Sequence, residues 1–484
     1  MNRAQRRKQK NSKSNLRKAG ITYLTAAGVV SGTFGLASPA HALTLTPTNC
    51  SELEMDLNAL EVAGGTLTAD FAGTCDFAEG FIFSLPSTII GPADGSLTLR
   101  FTGDRVSTPV PVDYNADGLT AQADLTISNL NFTRPPNSGG FDYFVFGWTT
   151  TTISNLTFSD AELSAAVYAE GNLIVSDSTF ENLTSLNGGS AITSTFATTI
   201  SNSTFSNNTA DGQASGGAIL ASGSLEVTSS TFDSNQAGDQ GGAITSYAGA
   251  RISNSTFVGN SAMSSAAVHL GEGGVISNST FWNNGDADTF SIFAGGASPS
   301  YLFANILAND TPNTVKLIDP TQTTIDLGAN LYTDSSIDDT TTGEGSSKLV
   351  TVGELKLSAL ASVNATSTET VAIGADSVAY DYYTADSQGI NPTASGEITS
   401  LLAATDQRGA DRPLSFGYDV GAYESGEKPD PSPSETPETT EVADSESLAD
   451  TGLETTTNFL GLIGVGLAAI LGGSVGLVRR RRKV

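Results

Sequence analysis

The sequence predicts an all-β solenoid, a right-handed parallel β-helix with a capping helix at its N-terminal end. Three observations predict it. First, Phe132, Phe158, Phe180, Phe205, Phe232, Phe257 and Phe281 recur at intervals of 26, 22, 25, 27, 25 and 24 residues, a period that belongs to stacked repeats. Second, the same phrase surrounds several of them: Ile153-Ser-Asn-Leu-Thr-Phe158, Ile200-Ser-Asn-Ser-Thr-Phe205, Ile252-Ser-Asn-Ser-Thr-Phe257 and Ile276-Ser-Asn-Ser-Thr-Phe281. Third, a glycine phrase lies between them, Gly216-Gly-Ala-Ile219 and Gly241-Gly-Ala-Ile244, with weaker copies at Gly189–Ile192 and Ser265–Val268. The 3.6-residue apolar spacing of helical repeats is absent, and short β-branched runs are punctuated by Gly, Asn and Ser.

Each repeat therefore reads as one coil. Ile and Phe both point inward if the Asn between them takes the left-handed conformation at a corner, which its short amide tolerates. Stacking should align Asn155, Asn202, Asn254 and Asn278 into an amide ladder and the Phe rings into an internal column. An Asn also recurs three positions after Phe, as Asn208, Asn235, Asn260 and Asn284. The paired glycines mark a further corner where a Cβ would clash. Phe232 is expected inside, and its outward neighbour Thr231 is expected to be dispensable.

Composition agrees with this class. The 484 residues include 51 glycines and only 15% charged side chains. The net charge of −28 conceals an asymmetry, because eight Lys/Arg precede residue 19 and five follow residue 478. The body between them is near −40, which excludes nucleic acid as a partner, since phosphate neutralisation needs Lys and Arg.

Taken in order, residues 1–42 read as a signal peptide. A basic segment (Arg3 to Lys18) precedes apolar Ile21–Leu36, and Ala40-His-Ala42 offers a cleavage site before Leu43. Residues 43–80 are expected to cap the solenoid. Ser51 and Glu54 form a capping-box pattern, Leu53, Leu57 and Leu60 share one helical face, and Gly64-Gly65 ends the helix. The only cysteines, Cys50 and Cys75, read as a disulfide in an exported chain.

Residues 81–334 hold the repeats. Within them Asp113, Asn115 and Asp117, with Asp124 beyond Gly118, match the spacing of a calcium loop. A strand rather than a helix follows, so the preferred reading is an Asp/Asn/Gly turn without cofactor, with Ca2+ as the alternative. Residues 335–426 form a less regular closing region. Its Asp406-Gln-Arg-Gly-Ala-Asp-Arg-Pro413 and Asp419-Val-Gly-Ala-Tyr-Glu424 resemble the DQRG…RP…DxGAxE ending of the choice-of-anchor β-helix proteins of bacterial surfaces. Leu355–Leu360 and Ile373–Asp381 resemble the segments that precede it there, and the likeness spans residues 50–424. The glycine and Phe-x-x-Asn phrases are also similar to repeats of polymorphic outer-membrane proteins. Arg408 and Arg412, near Asp406, Asp411 and Asp419, are expected to close the last rung by charged hydrogen bonds rather than to hold a ligand.

Residues 427–447 form a Pro-rich, acidic spacer across the wall. Residues 448–484 comprise Leu448-Ala449-Asp450-Thr451-Gly452, apolar Phe459–Val478 and basic Arg479–Lys483. This tail resembles a Gram-positive cell-wall sorting signal of the LAxTG variant. The likeness implies a transmembrane helix before sorting, cleavage between Thr451 and Gly452 by a sortase, and attachment to peptidoglycan.

The expected function is thus that of a wall-anchored surface protein, an adhesin that contacts a glycan or a host or neighbouring-cell ligand. An extracellular polysaccharide lyase or glycoside hydrolase is the alternative, because pectate lyases and polygalacturonases share the fold, and a passive coat protein is the third reading. The sequence favours no enzyme. Between Asn155 and Asn309 the only Arg or Lys is Arg251, and the mature chain has a single histidine, His269, expected to be a packed strand residue. Asp211, Asp239, Glu272 and Asp286 lie in loops of neighbouring repeats without a spacing that singles out a pair.

Overall fold

The computed structural model describes residues 43–102, 118–135, 141–285, 289–296, 298–310, 316–318, 324–335, 345–362, 368–384, 401–414 and 417–426. Parallel pairing begins with Leu43–Leu45 on Gly65–Thr68 and ends with Leu331–Tyr332 on Lys348–Leu349. Coils thus extend beyond the expected 81–334. They start inside the presumed cap because residues 65–77 already alternate, with Leu67, Cys75 and Phe77 buried.

The capping helix spans Cys50–Ala63 and buries Leu53, Leu57 and Leu60. Its N-cap differs from expectation. Asn49, not Ser51, caps it, accepting from the Ser51 and Glu52 backbone N–H groups at 3.1 Å each. Glu52, rather than Glu54, reaches back to the Thr48 N–H at 2.9 Å. An amide oxygen in extended backbone caps as well as a hydroxyl, so the helix starts earlier. Gly64 ends it at φ 64, where a Cβ would lie 2.8 Å from Leu85 Cβ.

One central coil describes the rest. A four-residue first strand such as Leu225–Thr228 leads to a corner, then a three-residue second strand such as Thr231–Asp233. Another corner, a short third strand such as Gln236–Ala237, and a glycine turn follow. A fourth strand, such as Ile244–Ser246, then returns to the next first strand. Phe180, Phe205, Phe232, Phe257 and Phe281 pair in strict register. Their rings stack at 4.9, 4.7, 4.7 and 4.5 Å within 4° of parallel, fully buried.

Both corners between these strands are left-handed. The first holds Asn129, Asn155, Asp177, Asn202, Ser229, Asn254 and Asn278 at φ 47–58; the second holds Asp160, Asn182, Asn207, Ser234 and Asn283 at φ 53–55. The first corner is where the Asn ladder was expected, but that ladder is broken. Asp177 stands between Asn155 and Asn202 and Ser229 between Asn202 and Asn254, while the adjacent Asn254 and Asn278 give their amide hydrogens to the Thr405 and Leu401 carbonyls instead of to each other. Asn155 donates instead to Asn129 at 2.9 Å.

The continuous ladders are internal. Asn208 Nδ2 donates to Asn235 Oδ1 at 3.0 Å, Asn235 to Asn260 at 3.0 Å, and Asn260 to Asn284 at 2.8 Å. The second amide hydrogen of each goes to the carbonyl of Phe180, Phe205 or Phe232. Beside them the N–H groups of Ser178, Ser203, Ser230 and Ser255 each donate at 3.2 Å to the serine hydroxyl one coil on. At the glycine turn, a Cβ on Gly217 would sit 2.0 Å from Gly242 O, and one on Gly242 2.1 Å from Ala266 O.

The closing region does more than finish the last rung. Leu357–Ala361 and Thr370–Ile373 pair antiparallel, and the chain then runs back along the side of the coils. Gln407 Nε2 donates to Thr231 Oγ1 at 2.8 Å, the Ala422 N–H donates to Thr280 Oγ1 at 3.0 Å, and Asn254 and Asn278 donate to the carbonyls of Thr405 and Leu401. Thr231 is therefore outward but fully buried under this strap, so its replacement should strand the Gln407 amide rather than cost little.

Two tests follow from these contacts. Asn260→Ala should destabilise the coils by at least about 2 kcal/mol, because it strands the buried Asn235 N–H and amide; a denaturation midpoint equal to wild type would refute the ladder's role. Cys50 and Cys75 are joined across a separation of 25 residues, a closure contributing about 3 kcal/mol in the chain-entropy model. Both should resist alkylation in exported protein until a reductant is added, as mass spectrometry would record.

Candidate functional site

Outward residues of successive first strands form a column. Thr199, Glu226, Arg251 and Val275 lie in register. A cleft of about 510 Å³ runs beside them, bounded by the turn residues Ala197, Ala248 and Glu272. A second, of about 400 Å³, lies between Ser253, Asn254, Ser277 and Asn278 and the strap residues Leu401, Ala403 and Ala404. Glu226 and Arg251 line both, so this pair stands where the two clefts of the groove adjoin.

Arg251 is exposed at its centre and forms no ion pair within 4 Å among the described residues, although Glu226 is its register neighbour. Asn254 is 8% exposed. Its Nδ2 donates to Thr405 O at 2.9 Å, while its Oδ1 is buried with no hydrogen-bond partner. Phe196 and Tyr247, 60% and 45% exposed, stand on the turns between a fourth strand and the next first strand and line neither cleft.

His269 lies elsewhere, outward on the fourth strand Ser265–Leu270. Its ring stacks on Phe293 at 4.8 Å, and Nδ1 lies 3.4 Å from Ser265 Oγ. Burial pushes its pKa down to about 4, against the pull of Asp239, so it is neutral at neutral pH. Ser265 is fully buried and accepts the Gly241 N–H, which leaves its hydroxyl out of reach of a substrate. The described loop acids fall on two different turns. Asp211 and Asp239 lie before the fourth strands, Glu272 lies after one, and Asp286 is outside the described residues.

The charged groups of the strap fill one another. Asp406 accepts from the Arg408 backbone N–H and from Arg408 Nε at 2.7 Å, and the Arg408 guanidinium lies 3.6 Å over the Tyr423 ring. Arg412, expected to pair with Asp411 or Asp419, instead reaches the Glu424 carboxylate at 3.3 Å and the Asp419 and Gly421 carbonyls at 2.9 and 2.6 Å. The cause is Asp419's commitment elsewhere, to Ser425 N and Oγ and to Asp381 N. Burial, then the neighbouring Asp419, pushes Glu424 up to about 7, and burial also raises Asp419. These groups act as a structural lock.

Of the calcium candidates only Asp124 is described; its Oδ1 accepts the Thr150 N–H of the next coil at 3.2 Å. Asp113, Asn115 and Asp117 lie outside the described residues, as do Ala42 and the motif Leu448–Gly452. Leu43 begins the first paired strand. Among the described residues no group of three or more His, Cys, Asp or Glu is placed to hold a metal, and no helix is long and apolar enough to cross a membrane.

Residues 144–306 match the profile of the family described as "Right handed beta helix region", which gives the hand of the winding. No curated protein matches. Among solved structures the chain is similar to a PL6 family alginate lyase, AlyGC, at 12% identity and a TM-score of 0.32, covering 72% of this chain and 58% of that one. An arginine-to-alanine variant of that lyase gives 10% identity and a TM-score of 0.28, with the same coverage. The chain thus spans under two thirds of the length of these structures.

The lock makes a pH prediction. A carboxyl whose pKa is raised on folding contributes stability present below its unfolded value and lost as pH rises through the folded value, here from about 4.5 to about 7. Amide protection of residues 417–425 in hydrogen exchange should therefore fall as pH rises through about 7, after correction for intrinsic exchange. Arg412→Ala should loosen the strap most above pH about 7, by about 3 kcal/mol or more, because there it leaves the buried Glu424 carboxylate unpaired. A flat pH profile would refute the assignment to Glu424.

Proposed function

We propose that this chain is an exported, wall-anchored surface protein that displays its β-helix for contact with a glycan or another cell surface. The observation that carries this reading is the bond between its only two cysteines, which belongs in an oxidising compartment. The sequence order supports it: export signal, folded body, acidic spacer, LADTG, apolar stretch and basic end. A sortase is then the processing partner and peptidoglycan the attachment. The wall of a Gram-positive-type bacterium is the destination, with membrane insertion as the step before. The strap suits such a body, since it ties the chain end nearest the spacer to the coils at several points.

A second reading, an extracellular polysaccharide lyase or hydrolase, is favoured by one observation. Glu226, Arg251 and Glu272 line a single open groove, and acid–base cleavage of a sugar chain uses carboxylates beside a cation. Incubation of the protein with polysaccharide and measurement of new reducing or unsaturated ends would separate this reading from pure binding.

Anchoring has its own test. Thr451→Ala should leave the protein in the membrane fraction with residues 452–484 attached, whereas deletion of 453–484 should release it to the medium. Native protein extracted from membranes by detergent with Arg479–Lys483 still present would overturn the sorting reading.

A further inference from the structure

From the capping helix we infer a docking surface: its outer face takes a cationic, amphipathic polypeptide segment of a partner protein. This deepens the surface-contact reading and rests on it for the place, outside the cell, where such a partner is met.

A helix that only covers the first coil needs one apolar face. Cys50–Ala63 has two. Leu53, Leu57 and Leu60 face the coil and are buried. On the opposite side of the helix lie Met55 and Val62, 63% and 80% exposed, aligned along the axis about 10 Å apart. The apolar surface continues off the helix. Glu61 accepts the Ile82 backbone N–H and Gly64 lies against Leu85, and the Ile82 and Leu85 side chains are 38% and 44% exposed. Exposed apolar surface rimmed by charge marks a contact site.

The rim is acidic on both sides. At helical spacing Glu54 and Glu61 stand along one flank of the Met55–Val62 line, and Glu52 and Asp56 along the other. Residues 43–80 hold seven Asp and Glu and no Lys, Arg or His. Arg100 pairs with one of them, Asp76, on the strand Gly73–Phe77.

Charge then selects the occupant. A second copy would bring the same excess of carboxylates to the contact, and anionic lipid headgroups or phosphate chains would be repelled. Helices that lie on membranes carry Lys and Arg beside their apolar stripe, the reverse of this one. A polypeptide with an apolar stripe of about two helical turns flanked by Lys or Arg fits both features. Its stripe covers Met55 and Val62, and its cations meet the two acidic flanks.

The test holds the full chain in phosphatidylcholine nanodiscs, with empty discs as the blank, and titrates three synthetic helical peptides. One has a Leu stripe flanked by Lys, the second has Glu in place of Lys, and the third has Ser in place of Leu. Only the first should bind, and it should bind about tenfold more weakly, or worse, to the paired variant Met55→Ser with Val62→Ser and to Glu54→Lys. Its binding should also weaken as salt rises from about 0.1 M to about 1 M, which shortens the screening length from about 10 to about 3 Å. Met263→Ser, which changes an exposed methionine on the turn before Ser265–Leu270, should bind as wild type, and all variants should melt alike. Unchanged binding in the paired variant would overturn the site. Equal binding of the Glu or the Ser peptide would overturn the partner class. Dimerisation of the wild type in sedimentation, lost in the paired variant, would assign the face to a second copy and overturn the inference, as would absence of binding by every peptide. None of these results bears on wall anchoring, which the fractionation test decides separately, so a failure here and a failure of the broader reading are distinguishable.

Discussion

The parallel hydrogen-bond register between coils is the constraint on which the rest depends. Because each strand pairs with the same strand one coil on, a side chain at one position lies about 4.8 Å from its equivalents above and below. Whatever occupies a position must therefore tolerate its own copy. Phe does so by stacking face to face, Asn by passing one amide hydrogen along the column, and Ser by accepting the next backbone N–H. These ladders let the interior hold polar groups without leaving the backbone at the corners unpaired.

The same register explains the corners. A coil of about 25 residues must reverse direction several times while its strands remain only three or four residues long. Left-handed residues achieve a turn in one position, at a steric cost that Asn, Asp, Ser and Gly bear best. Two such corners flank the Phe strand, so the inward sequence is preserved across each bend. At the glycine turn both limits act: Gly216 and Gly241 take positive φ, and a Cβ on Gly217 or Gly242 would strike the backbone of the following coil.

The strap interrupts this uniformity and gives the body distinct faces. The threonine beside Phe is partly exposed at Thr179 and Thr204 but buried at Thr231, Thr256 and Thr280, where the closing segment lies across it. The charged lock of Asp406, Arg408, Arg412, Asp419 and Glu424 shapes that segment, and the edge around Leu401–Ala404 becomes one wall of the groove. An otherwise repetitive column of outward residues thereby acquires one place that differs from the rest. That place contains Arg251, the lone cation of the central repeats.

Much of this was legible in the residues alone. The Phe period, the inward Ile–Phe pairs, the left-handed Asn, the clash at paired glycines and the helix over Leu53–Leu60 are local or strictly periodic, and periodicity maps directly onto stacking. The identity of the true ladder was not legible, because Asn202 and Asn208 are chemically alike and only a second left-handed corner at Asn207 decides which points inward. Nor was the fate of Thr231, whose burial comes from residues about 140 to 180 positions away. The partner of Arg412 and the groove at Arg251 belong to the same class. Both depend on where the closing segment comes to lie, and that is set by long-range packing rather than by any local pattern.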